Sequence, residues 1–297
     1  MKGPHRSRPI SDILDEVKKL RDEHPLSEIN LIGQDAAAYG FDLEKRFLLA
    51  DLVPGLAKLV PDTWIRILYA HPAHVTPELI QAVKAHPNVC RYLDLPIEHS
   101  HPRILEAMNR GCARETMDRV IDAVRQVPGM ALRTAVIVGF PGETEAEYQD
   151  LLNYLEDVRF ERLGAFTYSQ EEGTRAYSLG GQIPEEVKKE RYDRLMELQR
   201  EITSDWNRER VGKTIKVLIE EETEKGAFAG RSEADAPEVD GQVFVHAEKT
   251  ALEPGQFVKV TVTDALDHDV VGELTEEVRH QVPGGQVHEP VPPVPGA

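Results

Sequence analysis

Cysteine is nearly absent from this sequence: Cys90 and Cys112 are the only two in 297 residues, and their surroundings are unlike. That excludes a disulfide framework and fits a reducing compartment, so a cytoplasmic location is expected. No stretch of about 18 consecutive apolar residues occurs, so no membrane-spanning helix is expected. No charged-then-apolar leader opens the sequence, so no secretion signal is expected. Positive charge is scarce, with 35 Lys and Arg against 52 Asp and Glu and a net charge of −17. Such a balance disfavours tight, sequence-blind nucleic-acid binding and favours a basic partner. The phosphate-cradling signatures are missing too, since neither a P-loop Gly-Lys-Ser/Thr nor a G-x-G-x-x-G is found. His71, His99 and His101 follow no zinc-ligand spacing and read as loop histidines, with His71 and His99 near the open end of a sheet.

What is present is organised around LRTAVIVGFPGET, residues 132–144. An apolar strand over 134–138 breaks at Gly139, turns through Phe140-Pro141-Gly142, and passes at Glu143-Thr144 into a helical segment over 145–158. A continuous apolar run of this kind suits a parallel strand covered on both faces. Ligands in parallel α/β folds sit at the carboxyl ends of strands, and glycine there lets backbone approach a ligand closely. The alternative is an ordinary strand-to-helix connection.

Along the chain, apolar residues at helical spacing predict a helix over 10–20. A short buried strand follows at 28–33, with Gln34 and Asp35 at its carboxyl end. Helix is expected near 44–59, strand over 63–70, helix from Thr76 to Ala85, and strand over 90–95 leading into Pro96, Glu98 and His99. Helices near 102–109 and 114–126 precede the central strand, and a last strand covers 162–169. Helix follows strand in regular alternation, which is the mark of a parallel sheet with right-handed crossovers. Without a glycine-rich first turn, a barrel, open or closed, fits better than a doubly wound sheet. The chain starts on a helix, as if a first strand and its loop were missing. Pro184 opens a long charged helix to about Arg210. Short alternating runs separated by Lys-Gly, Asp-Gly and Pro-Gly then predict a small antiparallel barrel of about five strands. A proline-rich, disordered tail is expected from about Glu276. The division is therefore residues 1–182 barrel, 183–210 connecting helix, 211–275 small acidic barrel and 276–297 tail.

LIGQDAAAYG, RYLDLPIEHS, ILEAMNRG, LRTAVIVGFPGETEAE, LGAFTYSQEEGT and GRSEADAPEVDG occur in this order. Together they resemble the radical S-adenosylmethionine methylthiotransferases, and most of all the branch that modifies a small-subunit ribosomal protein. The resemblance implies an α/β fold: an incomplete (βα)6-type partial barrel with its first strand missing, then a small all-β TRAM (OB-like) barrel. It implies S-adenosylmethionine and [4Fe–4S] clusters as cofactors, and transfer of a methylthio group to the β-carbon of an aspartate. That C–H bond is unactivated and calls for radical rather than acid–base chemistry. The family's C-x-x-x-C-x-x-C cluster motif is absent, as are the cysteines of its N-terminal domain. Because thiolates are the ligands such clusters need, the chain alone is expected to be inactive, with no metal ligands of its own. The tRNA-modifying sister branch and a non-catalytic protein-docking module are the competing readings. A generic aldolase-like barrel is weakened by the lack of a lysine at any strand end.

The residues expected at the cofactor site are Gln34, Asp35, Glu98, Arg133, Gly139, Gly142, Glu143 and Tyr168. The resemblance implies that Glu98 accepts hydrogen bonds from the cofactor ribose; otherwise it is a solvated loop acid. Arg133 would pair with the cofactor carboxylate, or else is a surface charge at the wrong end of its strand. Glu143 is either a ligand or a first-turn acid favoured by the helix dipole. In the small barrel, Asp235, Glu238 and Asp240 are expected to meet a basic ribosomal protein. Residues 211–275 hold 14 acids and six bases, a net of −8, which is the wrong sign for tRNA.

Overall fold

The computed structural model describes residues 3, 5–248 and 250–278. Helix α1 (Ile10–Glu23) leads into β1 (Glu28–Leu31), α2 (Phe41–Glu44) and α3 (Leu49–Leu59). Next come β2 (Trp64–Ile67), α4 (Pro77–Ala85), β3 (Val89–Asp94), α5 (Pro102–Ala107) and α6 (Arg114–Arg125). The α/β part ends with β4 (Ala131–Val138), α7 (Glu145–Val158) and β5 (Arg162–Thr167). The five strands form one parallel sheet in the order β1-β2-β3-β4-β5. Sequential order in a parallel sheet means that every crossover winds the same way, which lays the helices on one face and leaves the other concave.

Two local expectations need correction. Strand β4 is not covered on both faces: Leu132, Thr134, Val136 and Val138 are buried, whereas Arg133, Ala135 and Ile137 are only half-buried. The first set packs against the helices and the second lines the concave interior, so an apolar run here marks a barrel wall. Strand β1 is likewise half-buried throughout, because it is the edge of the sheet. The helical side is one apolar core that includes Val53, Leu56, Ile65, Leu93, Leu132, Val136, Leu151 and Leu195, all at 1% exposure or less. Helix α7 starts on a capping box, in which Thr144 accepts from the Glu147 amide and the Glu147 carboxylate accepts from the Thr144 amide. That reciprocal pair satisfies two donors the first turn would otherwise leave open.

Helix α8 (Glu185–Arg210) runs from the barrel to five further strands, β6 (Thr214–Glu224), β7 (Ala227–Ser232), β8 (Val243–His246), β9 (Phe257–Ala265) and β10 (Val270–Val278). They close in the order β10-β8-β7-β6-β9, so no strand edge is left open. Strand β10 carries ordered pairing to Val278, two residues beyond the start expected for a disordered tail. The remainder of that tail lies outside the described residues.

The small barrel covers the amino-terminal floor of the large one. Trp64, Cys90, Tyr92 and Ala131 pack on Leu218, Ala234, Ala236 and Phe257, with the Trp64 and Phe257 rings edge-to-face at 4.6 Å. Charges are buried alongside. Glu28 accepts from Arg66 Nε at 2.6 Å and from Arg231 Nη2 at 2.5 Å, which ties β1 and β2 to β7. With the floor covered, the free end of the barrel is the carboxyl end of its strands.

Candidate functional site at the carboxyl ends of the strands

A cavity of about 570 Å3 opens there, lined by the connections that follow β1, β2 and β3, with His5 from the amino-terminal segment. Gln34 and Asp35 come from the segment after β1, and Phe41, Asp42 and Phe47 from the turns around α2. Tyr69, His71 and His74 follow β2, Pro96 and Glu98 follow β3, and Arg110 follows α5. Its size is that of a small-molecule site, with polar groups converging on an aromatic wall.

Asp35 anchors one side. Its carboxylate accepts from the His71 amide at 3.0 Å and lies 2.5 Å from His74 Nδ1. The His71 ring is turned the other way: Nδ1 accepts from the Ala73 amide, so Nε2 carries the proton it shares with the Arg110 carbonyl at 3.0 Å. Burial, reinforced by the nearby Arg110 charge, pushes the His71 imidazole below its ordinary range and keeps it neutral. Phe41, Phe47 and His74 form a ring stack, with centroids at 5.4 and 4.9 Å.

Glu98 anchors the other side. It adopts a left-handed backbone conformation with φ at 65°, uncommon for a residue that carries a Cβ. The His99 amide donates to the Ile97 carbonyl at 2.8 Å, so Glu98 sits at the apex of a three-residue turn. The turn lies beside β4, with the Glu98 amide donating to the Ala135 carbonyl and the Ile137 amide to the Glu98 carbonyl. Burial raises the Glu98 carboxyl above the usual carboxylate range, and Arg110, 3.7 Å away, only partly opposes it. Arg110 is fixed by the Pro96 carbonyl, and its Nε has no protein partner among the described residues. Chemically, the two carboxylates can accept hydrogen bonds from ligand hydroxyls, the aromatic wall can stack on a planar base, and a positive centre is favoured between the acids.

Three of the eight expected residues, Gln34, Asp35 and Glu98, therefore meet in one cavity. The others lie elsewhere. Arg133 projects from β4 into the barrel interior, where Nη1 donates to Asp94 at 2.9 Å and Nε lies 3.5 Å from Asp240. It faces the covered floor and serves the junction with the small barrel, not the cavity.

Glu143 is fully buried and tied on all sides. It accepts from the Gly139 amide at 2.7 Å, from Arg191 Nη1 at 2.5 Å and from His99 Nε2 at 3.1 Å. His99 is thus no loop histidine at the mouth but an inaccessible tie between two connections. Gly139 has φ at 74°, and a Cβ there would lie 2.4 Å from Lys188 Cγ. Its close approach is to α8 and not to a ligand. Gly142 donates to the Gly181 carbonyl at 2.7 Å and its own carbonyl accepts from Arg103. Tyr168 packs edge-on against Phe140 and under the Lys188 ammonium. Sequence reading passed over Arg110, His74, Tyr69, Phe41 and Phe47. Tyr69 had a usable signal, its place at the end of a strand; the rest come from loops whose paths only the fold reveals.

The small-barrel acids also need correction. Asp235 is buried against Arg162, and Asp240 accepts from the Tyr92 hydroxyl at 2.7 Å beside Arg133. Only Glu238 of the three is exposed. Neither cysteine resembles a cluster ligand. Burial pushes the Cys90 thiol up to about 12 and raises Cys112 as well, whereas ligation needs a ready thiolate. Among the described residues no group of three His, Cys, Asp or Glu is arranged to hold a metal ion, and no helix is long and apolar enough to cross a membrane.

Residues 1–155 match the family model of the radical SAM superfamily, and residues 211–275 match that of the TRAM domain. The ribosomal protein uS12 methylthiotransferase RimO of Caldanaerobacter subterraneus is 44% identical over 273 residues, covering 92% of this chain and 62% of that protein. Its counterpart from Heliobacterium modesticaldum is 45% identical over 278 residues, covering 93% and 60%. The chain thus spans about three fifths of the length of the curated relatives it matches. Among solved structures, coproporphyrinogen III oxidase (HemN) of Escherichia coli, a radical SAM enzyme, shares the fold with a TM-score of 0.51 at 13% identity, covering 65% of this chain and 46% of that one. With its parallel partial barrel and a family match over more than half its length, the chain belongs to the radical SAM superfamily.

Proposed function

We propose that this chain is the S-adenosylmethionine-binding and target-docking part of a methylthiotransferase that acts on ribosomal protein uS12 and modifies the β-carbon of an aspartate. The observation that carries this reading is the 44% identity over 92% of the chain to the uS12 methylthiotransferases. The superfamily implies two cofactors, and the residues present suit one of them. The cavity has the volume and the polar and aromatic lining for S-adenosylmethionine. Glu98 and Asp35 would face its hydroxyls and positive centre, and the Phe41–Phe47 wall would meet its base. When bound together with an iron–sulfur cluster it supplies the radical that an unactivated C–H bond requires.

The [4Fe–4S] cluster does not fit this chain's own residues. Two buried thiols cannot furnish three thiolates, so the chain alone is inactive. Two free cysteines and a ribosomal target accord with a cytoplasmic setting.

The partner is basic. Exposed Glu221, Glu222 and Glu224 on β6, with Glu238, give the small barrel an acidic surface that steers a basic protein in and repels tRNA. The test is anaerobic reconstitution with iron, sulfide, S-adenosylmethionine and uS12, with and without the cysteine-bearing segment of a relative fused ahead of the chain. No stoichiometric cluster and no methylthiolated aspartate are expected from the chain alone, and both from the fusion. Four irons per chain without the fused segment, or modified tRNA in place of uS12, would refute the reading.

A further inference from the structure

Glu98 holds its carboxyl at the cavity from an unfavourable left-handed turn, so something outside the cavity must over-determine that turn. The neighbouring residue supplies it. His99 is fully buried, its Nδ1 accepts from the His101 amide at 2.9 Å, and its Nε2 is therefore the protonated nitrogen that donates to Glu143 at 3.1 Å. The Glu143 carboxylate is itself held by the Gly139 amide and by Arg191 Nη1, which also reaches the Glu143 carbonyl at 3.2 Å. Arg191 belongs to α8, and its own carbonyl accepts from the Tyr148 hydroxyl at 2.7 Å. The chain of contacts runs from the cavity through two loops to the helix that carries the small barrel.

We propose that His99, Glu143 and Arg191 are positioning residues that fix the Glu98 carboxyl toward a bound S-adenosylmethionine. This rests on the reading of the cavity as the cofactor site. None of the three lines the cavity, so each acts only through the turn. The imidazole, a neutral donor locked between a backbone amide and a carboxylate, cannot rotate without breaking two hydrogen bonds. The bond to Glu143 is buried and that from the His101 amide partly so, where an unmet donor or acceptor costs more than at the surface. A merely structural tie would support the fold equally whatever residue stands at 98.

The experiment measures S-adenosylmethionine affinity by calorimetry and the Glu98 carboxyl titration by NMR in the full chain. The variants are His99→Leu, His99→Gln and Glu98→Gln, and the double variants. His99→Leu should weaken binding about tenfold, an effect of the size expected from releasing one strained turn. It should also return the Glu98 titration toward the ordinary carboxylate range as the side chain becomes solvated. His99→Gln, whose amide can still donate to Glu143, should keep most of the affinity and carries the test if the leucine variant does not fold. In the Glu98→Gln background the His99 change should have no further effect on affinity. Equal losses in both backgrounds, or an unmoved Glu98 titration, would overturn the proposal. If the parent chain does not bind S-adenosylmethionine at all, the cavity reading falls, while the Glu98 titration still decides the positioning role.

Discussion

Arg162, the first residue of β5, donates from Nε to the Asp235 carboxylate of the small barrel at 3.1 Å, and both side chains are at most 5% exposed. Burial alone would raise the Asp235 carboxyl, but Arg162 and Arg210 outweigh it and hold it below its ordinary value. Asp235 is therefore a structural anion between two arginines. Replacing it by alanine strands buried charge, and the expected loss is about 3–5 kcal/mol of stability, read from urea midpoints. Glu238→Lys, on the exposed surface, should change stability by less than about 0.5 kcal/mol and should weaken uS12 binding in a salt-dependent way. A stable Asp235→Ala variant with impaired docking would reverse these assignments.

Acid should release one defined tie. Glu147 accepts from Arg103 and caps the first turn of α7, and these contacts draw its carboxyl down to about 2 despite partial burial. A depressed carboxyl stabilises the fold fully above its unfolded value near 4.5, and that contribution disappears as pH falls from there toward 2. Melting temperatures across this range should fall less steeply for Glu147→Gln than for the parent. Parallel curves would show that Glu147 adds nothing.

Ligand binding should titrate on Glu98. Its raised carboxyl protonates at a higher pH than an ordinary glutamate, and the neutral acid is a poorer acceptor for ligand hydroxyls. Affinity for S-adenosylmethionine should therefore decline on acidification before free carboxylates titrate. Arg110→Gln, which removes the opposing charge, should move that midpoint upward. A pH-independent affinity over the same interval would exclude Glu98 from the contact.

The turn after β4 should tolerate no side chain. Gly139→Ala forces a left-handed alanine, at about 1–2 kcal/mol, and sets its Cβ against Lys188 on α8. Denaturant unfolding should show a loss of at least that size. A neutral outcome would mean that the turn re-forms in another shape.

The legible and illegible parts of this fold divide on physical lines. The α7 start at Thr144 and the α8 span are written locally, in capping chemistry and helical spacing, and were readable in advance. So was the parallel, barrel-like character of the large sheet, because regular strand–helix alternation leaves few topologies. Burial of charge was not readable. Asp235, Asp240, Arg133 and His99 look solvent-facing in a linear sequence, since polar residues are mostly exposed unless paired. Their partners lie 73, 148, 39 and 44 positions away, brought near only by closure of the barrel and docking of the small domain. That Gln34, Asp35 and Glu98 share the open end of the sheet was legible because a strand end is a place that sequence does mark. Arg110 and His74, which complete the cavity, stand on loops that sequence does not trace.

The most direct measurement is a crystal structure of the chain with S-adenosylmethionine. Density for the nucleoside is expected in the cavity between Asp35 and Glu98, with the ribose hydroxyls on the Glu98 carboxylate and the base against Phe41 and Phe47. Nucleoside density at the floor beside Arg133, or an empty cavity at saturating ligand, would contradict the assignment of the site.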